Sequence, residues 1–139
     1  AGAVMKRYIA VLDGVPESEA GEIDLPLGKV STREKGWRMT TDPKGKPART
    51  AWRLLDTRDG RALVEFRPAT GRTHQIRVHA LEGLGHAVTG DPFYGTPHPA
   101  GMMLHAIELI VPRAGKADVA ATAPWPERFV SAGFDAPAA

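Results

Sequence analysis

Two β-forming runs, Thr50 to Asp56 and Arg61 to Arg67, are separated by Thr57-Arg58-Asp59-Gly60. Asp-Gly between such runs is a strong hairpin signal, so this stretch predicts an antiparallel pair. Past Ala69-Thr70-Gly71 the apolar period changes from two to nearly four. Ile76, Ala80 and Leu84 then form one stripe along a helix expected from about Thr73 to Leu84, with Thr73 as N-cap and Gly83 or Gly85 ending it. A chain that must bury both a hairpin face and a helix stripe is mixed α+β.

The remaining segments extend that architecture. Met5 to Leu12 reads as a strand closed by Asp13-Gly14, and Glu22 to Leu25 as a short half-buried strand before Pro26. Lys44-Gly45-Lys46-Pro47 is an exposed basic loop, and Gly90 to Gly95 is a second loop. Met102 to Val111 reads as a mostly buried strand stopped by Pro112. A last short helix after Pro124 packs Trp125 and Phe129, and the chain frays from about 130 to 139. At 139 residues this is one domain, with a mainly antiparallel sheet and flanking helices.

Several function classes are excluded by what is absent. The sequence has no cysteine, which removes disulfide scaffolds, thiolate zinc sites and cysteine nucleophiles. No apolar run approaches the ~20 residues that span a bilayer, so no membrane role is expected, and a cytoplasmic location is the default. The net charge of +2 hides an uneven distribution: from Arg33 to Arg77 there are 12 Lys or Arg against 5 Asp or Glu. Such a block attracts an anionic polymer through Coulomb forces and counterion release, though a merely solvated basic surface has the same composition.

Polar chemistry is densest in Gly71-Arg72-Thr73-His74-Gln75-Ile76-Arg77-Val78-His79. These residues crowd the start of the expected helix, where backbone N–H groups and the helix dipole favour an anion and Arg72 adds a charge-assisted bond. Arg77, one turn further in, suits a partly buried pairing with a carboxylate; arginines that only snorkel are the alternative. On a helix, His74 and His79 lie roughly 140° apart and cannot form an i, i+4 metal pair. No metal site is expected, because His86, His98 and His105 also lack ligand spacing. Ser31 and Ser131 have no nucleophile-elbow context, and the glycines match no phosphate loop.

The run Gly71 to His79, followed by Leu84-Gly85-His86, Gly90-Asp91-Pro92-Phe93-Tyr94-Gly95 and Leu104-His105-Ala106, closely resembles the C-terminal motif series of RluA-type RNA pseudouridine synthases. Lys6-Arg7-Tyr8-Ile9-Ala10 resembles that family's tyrosine strand, and Gly45 to Thr50 also fits, so the resemblance covers about Lys6 to Phe129. It implies a partial pseudouridine synthase catalytic fold and isomerisation of uridine in ribosomal or transfer RNA, with no cofactor. By motif position Tyr8 is the base-stacking tyrosine and Arg77 the arginine that pairs with a nucleophilic aspartate. Arg72, His74, Gln75, Leu104 and Lys46 are the substrate-binding candidates, with plain core the competing role for Leu104. An aromatic face is a sequence-tolerant platform for an extruded base, and a carboxylate nucleophile needs a fixed cation to orient it.

One family element is missing. The nucleophile of these enzymes belongs to a His-Arg-Leu-Asp type motif upstream of the tyrosine strand, and no such string occurs here. Asp91 fits a turn aspartate, and Asp13 and Asp56 are ill placed for the role. Two expectations follow. Arg77 should lack its partner, a buried charge left uncompensated at a cost of ~3–5 kcal/mol, and the sheet should show an open edge or cleft. The chain alone should be inactive, completed by an upstream segment or by a second copy; a non-catalytic RNA-binding module is the alternative.

Overall fold

The computed structural model describes residues 5–34, 36–113 and 115–136. The expected hairpin is its centre. β5 (Arg49–Arg58) and β6 (Arg61–Pro68) pair antiparallel across a turn in which Asp59 and Gly60 have φ of 51° and 78°. Positive φ at both central residues gives the turn whose twist matches the strands it joins. Around this pair a six-stranded sheet assembles in the order β2-β5-β6-β1-β7-β8, with β1 Met5–Leu12, β2 Ala20–Asp24, β7 Leu104–Arg113 and β8 Lys116–Thr122. Every pairing in it is antiparallel, and β2 and β8 form its open edges.

Alternation along the strands sends side chains to two cores, one on each face. On the first face Ala10, Leu12, Trp52, Val64 and Phe66 meet Ile76 and Ala80, with Leu84 packed alongside, so the apolar stripe is buried as expected. The helix that carries it is different. Only Gln75–Val78 (α1) is α-helical, and His79–Gly83 continues as a π-helical turn. A strict four-residue spacing exceeds the 3.6-residue α-turn, and the wider i→i+5 winding takes up the difference. Gly85, with φ of 81°, ends the segment.

On the second face Ile9, Val11, Leu63, Met103 and Ile107 pack against Phe129 and Phe134. Phe129 belongs to α2 (Glu127–Ser131), which Arg128 anchors by donating to the carbonyls of Met102 and Leu104, each at 3.0 Å. This corrects the frayed tail. Phe134 is fully buried and its carbonyl accepts a bond from the Trp125 indole, so the packed chain runs past 130; residues 137–139 lie outside the described residues. Nor does Pro112 stop β7, which continues to Arg113 because the proline falls at a register shift, where no ladder donor is needed.

A second, two-stranded sheet was not foreseen. β3 (Leu27–Thr32) and β4 (Gly36–Thr41) form a hairpin standing off the main sheet, attached through a bridge from Leu27 to Lys46 and a small core of Leu27, Ala48, Val78 and Tyr94.

Candidate active site

Where β1, β7 and the start of α1 converge, a pocket of about 200 Å³ opens, lined by Lys6, Tyr8, Arg72, Ile76, Arg77 and Leu104 among others. Sheet register explains the wall. Ala10 pairs with Leu104 and Tyr8 with Ala106 across adjacent strands, so Tyr8 and Leu104 are diagonal neighbours on one face. Lys6, two residues before Tyr8, shares that face by the same period, a signal in the sequence that could have found it.

Gln75 fixes the opposite wall. Its carbonyl oxygen accepts from the Thr70 hydroxyl at 2.6 Å and the Arg72 amide at 3.0 Å, while its nitrogen donates to the Arg49 carbonyl and the Thr50 hydroxyl, both at 2.9 Å. The amide is saturated by the chain itself, so Gln75 borders the pocket without a donor or acceptor to spare. From Thr50 the network runs inward: its hydroxyl and the His79 Nδ1 are 2.7 Å apart, and the His79 Nε2 is 2.9 Å from the Leu25 carbonyl. Since that carbonyl can only accept, Nε2 carries the proton and Nδ1 accepts from Thr50. Burial holds the His79 pKa below the ordinary 6.5, against the opposing pull of the Leu25 carbonyl and Asp24, so the ring is neutral.

The N-cap is not Thr73. His74 occupies that place in the left-handed region, φ 54° and ψ 23°, without a side-chain cap bond. The strained backbone is held by its ring, which stacks on Trp37 at 5.1 Å and 22° and lies 2.8 Å from the Tyr94 hydroxyl. Burial and the nearby Arg77 charge depress its pKa, outweighing Asp91. One short α-turn offers little macrodipole. The positive field at the pocket therefore comes from Lys6 and Arg72, with Arg72 held in place by its Nε bond to the Pro47 carbonyl at 2.9 Å.

Arg77 overturns one expectation. Its guanidinium is paired, donating from Nε to Asp91 Oδ2 at 2.8 Å and from Nη2 to Oδ1 at 2.7 Å, and it lies 5.2 Å from the ring centroids of both Phe93 and Tyr94. Asp91 is fully buried and also serves as the turn aspartate, accepting the Phe93 and Tyr94 amides at 2.9 and 3.2 Å. Burial pushes its pKa up, but the guanidinium bonds, the two amides and the Arg77 charge together hold it below the ordinary carboxylate range. The penalty expected for an uncompensated arginine does not arise. Nη1 makes no hydrogen bond among the described residues.

Six of the seven candidates, Tyr8, Arg72, His74, Gln75, Arg77 and Leu104, border one pocket. Lys46 does not. It lines an adjoining groove with Lys29, Lys44 and Met39, joined to the pocket through Gly71 and Arg72, which border both. No carboxylate is among the described residues lining the pocket.

A family model for RNA pseudouridylate synthase matches residues 1–82. The chain belongs to the RNA pseudouridine synthases, and to their RluA type. It is 52% identical over 136 residues to an uncharacterised RNA pseudouridine synthase of Zymomonas mobilis, covering 96% of this chain and 62% of that protein. Against the dual-specificity RNA pseudouridine synthase RluA of Escherichia coli it is 37% identical over 111 residues, 76% of this chain and 50% of the relative. The human RNA pseudouridylate synthase domain containing 1 superimposes with a TM-score of 0.78 at 34% identity, covering 88% of this chain and 55% of that one. This pseudouridine synthase chain thus spans less than two thirds of the length of these relatives.

Proposed function

We propose that these residues form the base-stacking and cationic walls of a site that isomerises uridine to pseudouridine in structured RNA, ribosomal or transfer. The observation that carries this reading is the convergence of Tyr8, Leu104 and Arg77, from β1, β7 and α1, on one pocket. An extruded uracil stacks on the Tyr8 ring against the apolar edge of Leu104 and Ile76, while Lys6 and Arg72 draw in the flanking phosphates. Isomerisation breaks the N1–C1′ bond, turns the base, joins C5 to C1′, and moves a proton from C5 to solvent while N1 regains one. A carboxylate is needed to attack the nucleotide or remove a ribose proton, and on this reading Arg77, which borders the pocket, orients it.

No described lining residue supplies that carboxylate, so on this reading residues 1–139 make pseudouridine only when an added segment or a second copy provides one. The same absence favours a second reading, an RNA-binding module without chemistry. The deciding experiment is chromatographic measurement of pseudouridine, separated from its isomer uridine after digestion to nucleosides, in RNA incubated with this chain and with a version carrying a family nucleophile segment ahead of it. Product only from the extended version supports the isomerase. RNA binding with no product from either supports the module, and product from residues 1–139 alone overturns the account of the carboxylate.

A further inference from the structure

The unforeseen β3–β4 hairpin and the loop from Gly90 to Gly95 carry the most exposed aromatic side chains near the pocket. Trp37 is 40% exposed and Phe93 49%, in a molecule whose other large aromatics are mainly buried, and their rings meet edge to face at 6.3 Å. Both also touch His74, which borders the pocket. The hairpin register pairs Lys29 with Met39 and Ser31 with Trp37, so Lys29, Met39 and Trp37 share one face. Lys29 and Met39 of that face wall the basic groove that continues from the pocket past Arg72. The Lys29 ammonium stands 5.1 Å from the Trp37 ring centroid, on a flexible stem that a phosphate can draw aside.

A half-open indole with a second exposed ring beside it and cations around it offers a π-face and phosphate partners at one place. Charge selects the occupant: the groove brings Lys29, Lys44, Lys46 and Arg72 together with Asp42 as its only acidic lining residue among those described. We infer that Trp37, braced by His74 and flanked by Phe93, is a stacking platform for an unpaired nucleotide next to the target uridine, whose phosphates run along this basic groove. A base has a π-face whatever its identity, so the platform holds single-stranded RNA without reading its sequence. The inference rests on the RNA reading above and adds a second nucleotide subsite to it.

The test compares binding of a short labelled oligouridylate with that of an abasic phosphodiester oligomer of equal length, by fluorescence anisotropy. Trp37→Ala should weaken oligouridylate binding about 5- to 100-fold, leave the abasic probe unchanged, and be largely rescued in Trp37→Phe. Equal oligouridylate affinity in parent and Trp37→Ala overturns the platform, as does a parallel loss on both probes, which would mark a general effect on fold or charge. If Trp37→Ala fails in either way while Arg72→Ala still weakens both probes, only the platform falls. If the parent chain binds neither oligouridylate nor structured RNA, the RNA reading falls with it.

Discussion

Arg77 and Asp91 share two parallel hydrogen bonds, Nε to Oδ2 and Nη2 to Oδ1, with the Asp91 carboxylate fully buried. The pair couples the helix that borders the pocket to the loop that carries Phe93 and Tyr94. Replacing Asp91 by Ala strands the guanidinium and two loop amides, and should cost about 3–5 kcal/mol in denaturant unfolding. Asp91→Asn keeps acceptor and shape but loses the charge, so a smaller loss is expected. In a version extended by a family nucleophile segment, the role proposed for Arg77 predicts that both variants lower kcat more than they raise KM, because the guanidinium is no longer fixed.

Gln75 makes a contrasting prediction. Its amide already uses both donors and both acceptor positions inside the chain. Gln75→Ala should therefore destabilise on the order of 3 kcal/mol by leaving buried groups unpaired. Gln75→Glu preserves the size but turns an acceptor toward the Arg49 carbonyl, and should unfold at lower denaturant than the parent.

Acid stability should fall in two stages. His79 and His74 are held neutral in the fold, with pKa below the ordinary 6.5, so the unfolded chain binds protons first as pH drops. Stability is then lost from about pH 6.5 downward until the folded histidines titrate. Asp91 and Glu65 have pKa values below their ordinary 3.8 and 4.5, so their contribution is intact above that range and lost as pH falls through the lower folded values. For Glu65, burial opposes the shift, but the bond and charge of Arg67, the bond of Arg7 and the charge of Arg53 outweigh it. His79→Gln should flatten the first stage of a pH series of urea midpoints and leave the second.

Local chemistry made much of this fold legible. The Asp59-Gly60 turn, the Met5–Leu12 strand and the stripe of Ile76, Ala80 and Leu84 all follow from period and turn residues within one short window. The β3–β4 hairpin left no such mark, because only Leu27 along its two strands is buried and the alternation has no core to answer to. The site divided in the same way. Tyr8, Arg77 and Leu104 sit in motifs, whereas the Arg77 partner and the Trp37–His74 stack join residues 14 and 37 positions apart, and nothing local announces either. Its sequence setting marks Asp91 as a turn residue, and it does accept the Phe93 and Tyr94 amides; its pairing with Arg77 exists only in three dimensions.

Salt dependence separates cations that meet RNA from cations that serve the fold. Arg72 borders both the pocket and the groove, and Lys46 lines the groove, with only the Arg72 Nε engaged, on the Pro47 carbonyl. Arg53 and Arg67 lie on the other face of the sheet, where their guanidiniums meet Glu65 at 3.3 and 2.7 Å. Each phosphate contact contributes about 0.7 to the slope of log affinity against log salt for single-stranded RNA. Arg72→Ala and Lys46→Ala should each weaken binding and flatten that slope by about this amount. Arg53→Ala should shift neither beyond a small loss of long-range attraction. Slopes measured by anisotropy across a salt titration decide between the faces: a flattened slope in Arg53→Ala with an unchanged one in Arg72→Ala would move the RNA to the opposite side of the sheet and leave the Tyr8 pocket without a polymer to serve.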